Sequence, residues 1–437
     1  MITIGLDIGT TSISGVVFDS TEQSVLTTET LPNNSRIEEK EPWQNIQDTE
    51  KIWNACQKII ARCQSKYPAI SAIGLTGQMH GIVYLDKSGR AISPLATWQD
   101  ARGDQSYRDG KSYTEFLTHQ SGYRMSSGYG LTTHFYNQKN KMVPDGTASL
   151  CTIADYIGLR LTRRKKPLIH TSNAHSMGVF DLNNLTFDRD AINDAGINPG
   201  ILPEVSPGEI SIGWTTNGIP VCVAIGDNQA SFIGAVGDTA HILTNIGTGS
   251  QLSVRSKTMV YAEGGLEVRP FVNGEFLLVG AGLSGGSAYA LLRDLFREVL
   301  GLYDVKADEE LYGKMENAAR ETMESKNPLA VDTRFKGTRR MPDIRGAIKQ
   351  IGMNNLTAGQ LALGVMQGIC EELHRFYQLV PEALRKADVL VGSGNALRNN
   401  KTLREILSDR FGMALTMSPF IEEGAIGAGI LAATMLE

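Results

Sequence analysis

The chain is poor in several features that would place a protein at a glance. Its five cysteines, Cys56, Cys63, Cys151, Cys222 and Cys370, are odd in number and share no metal-ligand spacing, which argues against a disulfide framework and for a reducing cytoplasm. No apolar run is long enough to span a bilayer. The longest, Gly424 to Leu436, is rich in small residues and is expected to form a buried closing helix. Met1 leads straight into a strand pattern, without the basic start, apolar run and cleavage site of a signal peptide, so a cytoplasmic protein with no membrane partner is expected. Charge of one sign is also lacking. Against 47 Asp and Glu stand 42 Lys and Arg, too few to offer a counter-charge to nucleic acid, which is excluded as a partner.

Glycine, by contrast, is plentiful at 46 of 437 residues, and glycine-rich turns let backbone approach a ligand or another backbone segment. The length favours two domains. Ile2 to Asp7 reads as a buried strand that runs into Gly9, Thr10, Thr11 and Ser12 before a second strand from Ile13 to Asp19, a tight hairpin with exposed amides. The device recurs in the second half, where His241 to Asn245 leads into Gly247, Thr248, Gly249 and Ser250 and then Gln251 to Val254. Between the two, Val221 to Ile225 ends in Gly226 and Asp227, and later Val389 to Val391 ends in Gly392, Ser393, Gly394 and Asn395. No tandem repeat of short period is present, and this echo of one hairpin in each half sets the domains at 1–226 and 227–437.

Strands followed by a helical pattern with apolar Ile52, Ala55, Ile59 and Ile60, within Ile46 to Lys66, imply a mixed α/β sheet. Ile70 to Thr76 is the next strand and delivers Gln78, Met79 and His80 to the carboxyl edge, where open α/β sheets place ligands. Thr97 to Tyr136, polar and aromatic, reads as a lid or pocket wall, and Asn183 to Gly218 as loop-rich packing. In the second half Ser287 to Leu300, Thr357 to Leu379 and Asn400 to Phe411 read as helices, with Ala307 to Ser325 a charged, exposed one.

Amides in a glycine- and hydroxyl-rich turn point at anions, and two such turns can hold the β and γ phosphates of a nucleotide without a P-loop. Asp7, at a strand end, is where a magnesium ion would need a carboxylate. Asp227 is positioned to take a proton from an alcohol attacking phosphorus, although an aspartate after glycine also serves as a helix cap. The clusters Gln78, Met79, His80 and Trp98, Asp100, Arg102 suit a polyhydroxylated ligand, which needs fixed donors and acceptors and an aromatic face. The turn from Gly392 to Asn395 would let adenine lie against backbone.

These segments resemble the FGGY carbohydrate kinases over the whole chain. The resemblance is carried by GLDIGTTS (Gly5 to Ser12), LTGQMHG (Leu75 to Gly81), TWQDAR (Thr97 to Arg102), GDNQAS (Gly226 to Ser231), NIGTGSQL (Asn245 to Leu252), Ser284 to Leu292 and Gly392 to Asn400. It implies a two-domain ribonuclease H-like, actin-like ATPase fold with ATP and magnesium in an interdomain cleft, the sugar on the first domain and the nucleotide on the second. It also implies transfer of the γ-phosphoryl to a terminal hydroxyl of a small-molecule sugar. By matching position, Asp227 is the implied base and Asp7 the metal-associated carboxylate. Gln78, Met79, His80, Trp98, Asp100, Arg102, Asp227 and Asn228 are implied sugar contacts. Gly9, Thr10, Thr11, Ser12, Gly247, Thr248 and Gly249 are implied phosphate contacts, with Gly286, Gly394, Asn395 and Asn399 at the nucleoside. Within the family TWQDAR and PLIHTSNAHSMGVFDL look most like the sedoheptulose-phosphorylating branch, while xylulose kinases share TGQMHG.

One position departs from the family pattern. A Lys or Arg usually follows the first hairpin's DxGTTS by two residues, aimed at the phosphates, and Ser14 stands there instead. A missing cation in a site that works by electrostatics would weaken turnover. A sugar-binding pseudokinase and an actin-like nucleotide switch therefore stay open beside the kinase, as does the choice between monomer and homodimer.

Overall fold

The first two strands carry apolar residues on both sides because both sides are covered, whereas the third is only half-buried. In the computed structural model, which describes residues 1–206, 208–237, 242–261, 264–306, 310–338, 341, 343–385 and 389–437, strand Ile2–Ile8 pairs antiparallel with Ser12–Asp19, and that strand with Ser24–Pro32. Gly15, opposite Leu6, makes room for Ile59 of helix Thr49–Lys66 on one face. On the other face a Cβ on Gly5 would collide with the Ala425 carbonyl of helix Glu423–Thr434, and one on Gly74 with the Ala428 carbonyl. That closing helix is buried almost all round through small residues, so it packs backbone against sheet.

By its internal contacts the chain divides into two compact units. The first comprises Met1–Gly234, Arg269–Glu275 and Glu422–Glu437, the second Ala235–Val268 and Phe276–Ile421. A division at 226/227 thus differs from these units in three places, the first being the boundary itself, which falls after Gly234. The closing helix belongs with the first unit because glycines Gly5 and Gly74 accept it there, and a seven-residue arm, Arg269–Glu275, joins the same unit.

In the first unit the strands run Ser211–Trp214, Pro220–Cys222, Ala72–Gly77, Ile2–Ile8, Ser12–Asp19, Ser24–Pro32, with Ile225–Gly226 also paired to Ala72–Gly77. The helix read from Ile46 onward begins at Thr49, where Asp48 accepts the amides of Glu50 and Lys51 as its cap. The segment read as a pocket wall folds into helices Tyr113–Ser121 and Gly130–Lys139, which bury Leu117, Leu131 and Phe135 in a second apolar cluster.

The second unit repeats the plan. Ile242–Ile246 pairs antiparallel with Ser250–Ser256 and parallel with Val389–Ser393, as the first hairpin does with Ala72–Gly77. His241 lies outside the described residues, and so do 307–309 of the helix read from Ala307. The described helix, Leu311–Glu321, is not simply exposed. Leu311, Met315 and Ala319, one stripe at helical spacing, are buried against helix Ala358–Leu379. Among the described residues no helix is long and apolar enough to cross a membrane.

Candidate active site

Strand register decides which residues meet. Ile2–Ile8, Ala72–Gly77 and Ile225–Gly226 are parallel, with Ile8 opposite Gly77 and Gly77 opposite Gly226. All three therefore leave the sheet at one edge, delivering Asp7, Gln78 and Asp227 together. Thr76 fastens the edge by donating its hydroxyl to the Ile225 carbonyl at 2.9 Å.

Carboxylates crowd this edge. Burial, then the charge of Asp227, then that of Glu422 push the Asp7 carboxyl up to about 7. Asp227 opens helix Asp227–Val236 and is also raised by burial, with the Asn228 amide and the Arg269 guanidinium working against the shift. A Cβ on Gly424 would lie 2.7 Å from Asp7 Oδ2, so glycine lets the start of the closing helix approach that carboxylate. Among the described residues no three His, Cys, Asp or Glu side chains gather as a metal cage. Magnesium fits such a donor set, because it keeps several waters and takes one or two carboxylates together with substrate phosphates.

Beside the carboxylates runs a polar wall. Gln78 is buried, donates to Gln47 Oε1 at 2.8 Å and faces the Thr10 hydroxyl at 3.4 Å, while Gln47 donates to the Thr10 carbonyl at 2.9 Å. The Trp98 indole donates to the same Thr10 hydroxyl at 3.0 Å and leaves its ring 47% exposed. Asn33 holds the Gly9 carbonyl at 2.8 Å. His80 sits at φ 72°, a conformation costly for a side-chain-bearing residue. Its amide donates to Ser176 Oγ and its Nδ1 to the Ser176 carbonyl at 2.7 Å, which fixes Nδ1 as a protonated nitrogen, and the ring stacks on Tyr129 at 4.8 Å. Met79 packs its sulfur where a Gly226 side chain would be, and Asn228 faces Arg269 Nη1 at 3.4 Å.

Asp100 and Arg102 are placed differently. They are buried and bind each other through two hydrogen bonds of 2.7 and 2.8 Å, with the guanidinium over the Trp43 and Tyr136 rings. Asp100 also accepts the Asn45 amide at 3.1 Å. The pair braces the segment that carries the exposed Trp98.

In the second unit Gly247, Thr248, Gly286, Asn395 and Asn399 line one cavity of about 500 Å³. Gly249 and Gly394 are not part of that lining. Gly249 abuts the Gly282 carbonyl, and Gly394, at φ 90°, abuts the Ile246 carbonyl. The turn is docked on helix Gly286–Gly301 because the Gly286 and Ser287 amides donate to the Gly247 and Thr248 carbonyls at 2.8 and 3.0 Å. Tyr289 and Tyr312, stacked at 5.8 Å, and Glu316 complete the cavity. Tyr312, Glu316 and Gln47 were not signalled by any motif, whereas Tyr289 lies in the Ser284 to Leu292 segment; helical spacing brings Tyr312 and Glu316 onto one face, which is the only hint the sequence holds for those two.

Comparison with known proteins places this geometry in a family. The model of the FGGY family of carbohydrate kinases, N-terminal domain, matches residues 2–245, and that of the C-terminal domain residues 242–436. The chain belongs to that family and is a sugar kinase phosphotransferase, which implies ATP as donor. It is 26% identical to mouse sedoheptulokinase, over 98% of this chain and 97% of that protein, and 24% identical to the human one with the same coverage. Among solved structures, xylulose kinase from Rhodospirillum rubrum superimposes with a TM-score of 0.84 at 20% identity, covering 100% of this chain and 90% of that one. Plasmodium falciparum glycerol kinase with ADP gives 0.82 at 20% identity, covering 100% and 89%. The shared fold is the two-domain actin-like one.

Proposed function

We propose that this kinase phosphorylates the terminal hydroxyl of a ketose, with sedoheptulose the first candidate and D-xylulose the second, and that Asp227 is the base. The observation that carries the reading is Asp227 itself. It is a carboxylate at the edge where three parallel strands end, beside a wall of fixed donors and one exposed indole. Near-complete coverage of the sedoheptulokinases supports the choice of sugar.

In this reading Gln78, His80, Trp98 and Asn228 bind sugar hydroxyls, Met79 gives an apolar contact, and Asp100 and Arg102 hold Trp98 in place. Each hairpin offers phosphate contacts of its own, Gly9, Thr10, Thr11 and Ser12 in the first unit and Gly247, Thr248 and Gly249 in the second. Gly286, Gly394, Asn395 and Asn399 bound the nucleoside, as suits the glycerol kinase solved with ADP. The sugar oxygen forms the new bond to the γ-phosphorus, the bond from that phosphorus to the β,γ-bridging oxygen breaks, ADP leaves with the electron pair, and the hydroxyl proton passes to Asp227. Bound magnesium, held through Asp7, would neutralise phosphate charge.

The test is ADP formation by the purified chain with ATP and magnesium across sedoheptulose, D-xylulose, D-ribulose, L-rhamnulose and glycerol. Marked preference for sedoheptulose is expected. Preference for another sugar would overturn the substrate assignment, and failure to transfer to any would overturn the activity proposed here.

A further inference from the structure

Asp227 follows a strand only two residues long. Ile225–Gly226 pairs with Ala72–Gly77 through those two positions alone, so the sheet ladder by itself holds little of the backbone that presents the base. Side chains hold the rest. Asn173 donates its side-chain amide to the Ala224 carbonyl at 3.0 Å, Thr76 donates its hydroxyl to the Ile225 carbonyl at 2.9 Å, and the Gly226 amide donates to Ser172 Oγ at 2.9 Å. The three residues before Asp227 are thus gripped one by one.

A chain of polar groups backs the last of these grips. Ser172 Oγ lies 2.8 Å from His170 Nδ1, and His170 Nε2 lies 3.1 Å from Glu209 Oε1. The Ser172 amide also donates to Nδ1, at 3.2 Å, where His170 caps helix Thr171–Ser176. Nδ1 therefore accepts and carries a lone pair, which puts the ring proton on Nε2, facing Glu209. Ser172 then gives its own hydroxyl proton to Nδ1 and keeps an Oγ lone pair for the Gly226 amide. Glu209 also accepts the Asn273 amide at 3.0 Å, from the arm Arg269–Glu275. Burial works upward on the Glu209 carboxyl, yet the hydrogen bonds from His170 and Asn273 hold it below its ordinary value, as an ionised acceptor. Ser172 is wholly buried and His170 is 1% exposed, so this serine cannot attack a substrate. The chain leads inward instead, from Glu209 to the amide next to the base.

We propose that Ser172, His170 and Glu209 are positioning residues for the phosphoryl transfer, holding the Gly226 amide so that the Asp227 carboxylate meets the sugar hydroxyl. The inference rests on the kinase reading above, with Asp227 as base. Glu209 selects the ring tautomer, the ring directs the Ser172 hydroxyl, and the hydroxyl oxygen fixes the peptide just before Asp227. None of the three takes the proton of the sugar, which passes to Asp227 alone. A buried amide that loses its acceptor must shift to find another or stay unpaired, and a reacting group displaced even slightly loses rate.

The experiment is a double-variant cycle on the full chain. Wild type, Ser172→Ala, Asp227→Asn and the protein carrying both changes are compared by steady-state rates with the preferred sugar, alongside His170→Ala and His170→Asn, with melting curves on every protein. Ser172→Ala is expected to lower kcat at least about tenfold while sugar KM stays within about threefold. In the Asp227→Asn background the same change should alter kcat less than about twofold, because a group that works only through Asp227 has no base left to position. His170→Ala should match Ser172→Ala, and His170→Asn, which keeps an acceptor where Nδ1 stands, should regain most of the lost rate. A kcat for Ser172→Ala within about threefold of wild type would overturn the proposal. So would an equal fold-loss in both backgrounds, the mark of a residue that serves the fold rather than the base. If His170→Ala does not fold, the Ser172 cycle decides. Lack of transfer by wild type, or full activity of Asp227→Asn, would overturn the kinase reading or its base and this inference with it, whereas an active wild type with an unaffected Ser172→Ala would overturn the inference alone.

Discussion

Trp98 and Thr10 are joined by a 3.0 Å hydrogen bond from indole to hydroxyl, so the exposed ring on the acceptor side and the first hairpin turn share one polar contact. Neither can shift without the other. Trp98→Phe keeps an aromatic face and removes the donor. Since a net hydrogen bond is worth about 1 kcal/mol, kcat/KM should fall about fivefold to tenfold for the preferred sugar, read from initial rates. An unchanged value would mean the contact does not couple the two sides.

Asp227→Asn keeps size and removes basicity. It should lower kcat by about 100- to 10,000-fold, the usual worth of a positioned base, while circular dichroism and sugar-induced thermal shift stay near wild type. Full activity would remove Asp227 from the mechanism.

The stacked tyrosines predict a nucleotide effect without a sugar effect. Tyr312→Ala strips one ring from the pair at 5.8 Å that lines the second-unit cavity. KM for ATP should rise about fivefold, in keeping with about 1 kcal/mol for an aromatic pair, and KM for sugar should hold. Equal changes in both would argue that the ring supports the fold instead.

Asp155 supplies a pH dependence away from the active-site edge. It sits in the first turn of helix Ile153–Thr162 and accepts Thr152 Oγ1 at 2.6 Å, yet burial raises its carboxyl to about 7. Unfolded, the same group titrates near 4. Between about pH 4 and pH 7 the folded protein therefore holds a proton that the unfolded chain has released, and stability falls as pH rises through that window. Asp155→Asn should flatten the slope by up to about 1.4 kcal/mol per pH unit, measured from urea midpoints at a series of pH values. An unaltered slope would show that the carboxyl is ionised in the fold.

Gly5→Ala tests the closing helix. The added methyl meets the Ala425 carbonyl, a backbone atom that has no rotamer to yield. The expected loss is about 3 kcal/mol, the upper range for overpacking, seen as a lower melting temperature. Stability equal to wild type would mean the helix can slide.

The parts of this fold that a reader of the sequence could see are those encoded within a few residues. An apolar run ending in glycine marks a strand that stops at a ligand edge, which is why Asp7, Gln78 and Asp227 could each be singled out at a strand end. Parallel register then put them side by side. Asp100 and Arg102 had the right chemistry for a sugar, but nothing local says whether polar side chains turn outward or toward each other, and here they pair in the interior. Gln47, Tyr312 and Arg269 were not legible. Each acquires meaning from a neighbour far along the chain, and single-residue patterns hold no record of such neighbours. The charged stretch Leu311–Glu321 hid its buried stripe because its polar residues outnumber the three that pack. The small residues of the closing helix announced close packing, while the unit it joins was set by Gly5 and Gly74 at the opposite end of the chain.

That helix also has a consequence for how the protein is made. The strand Ile2–Ile8 leaves the ribosome long before Glu423–Thr434, the helix that covers one of its faces. Through most of synthesis the first sheet has an open apolar side, and the second unit is completed before the first. Translation that stops shortly before residue 423 would release a chain whose damage lies at its beginning, with a bare sheet face for chaperones and proteases to find.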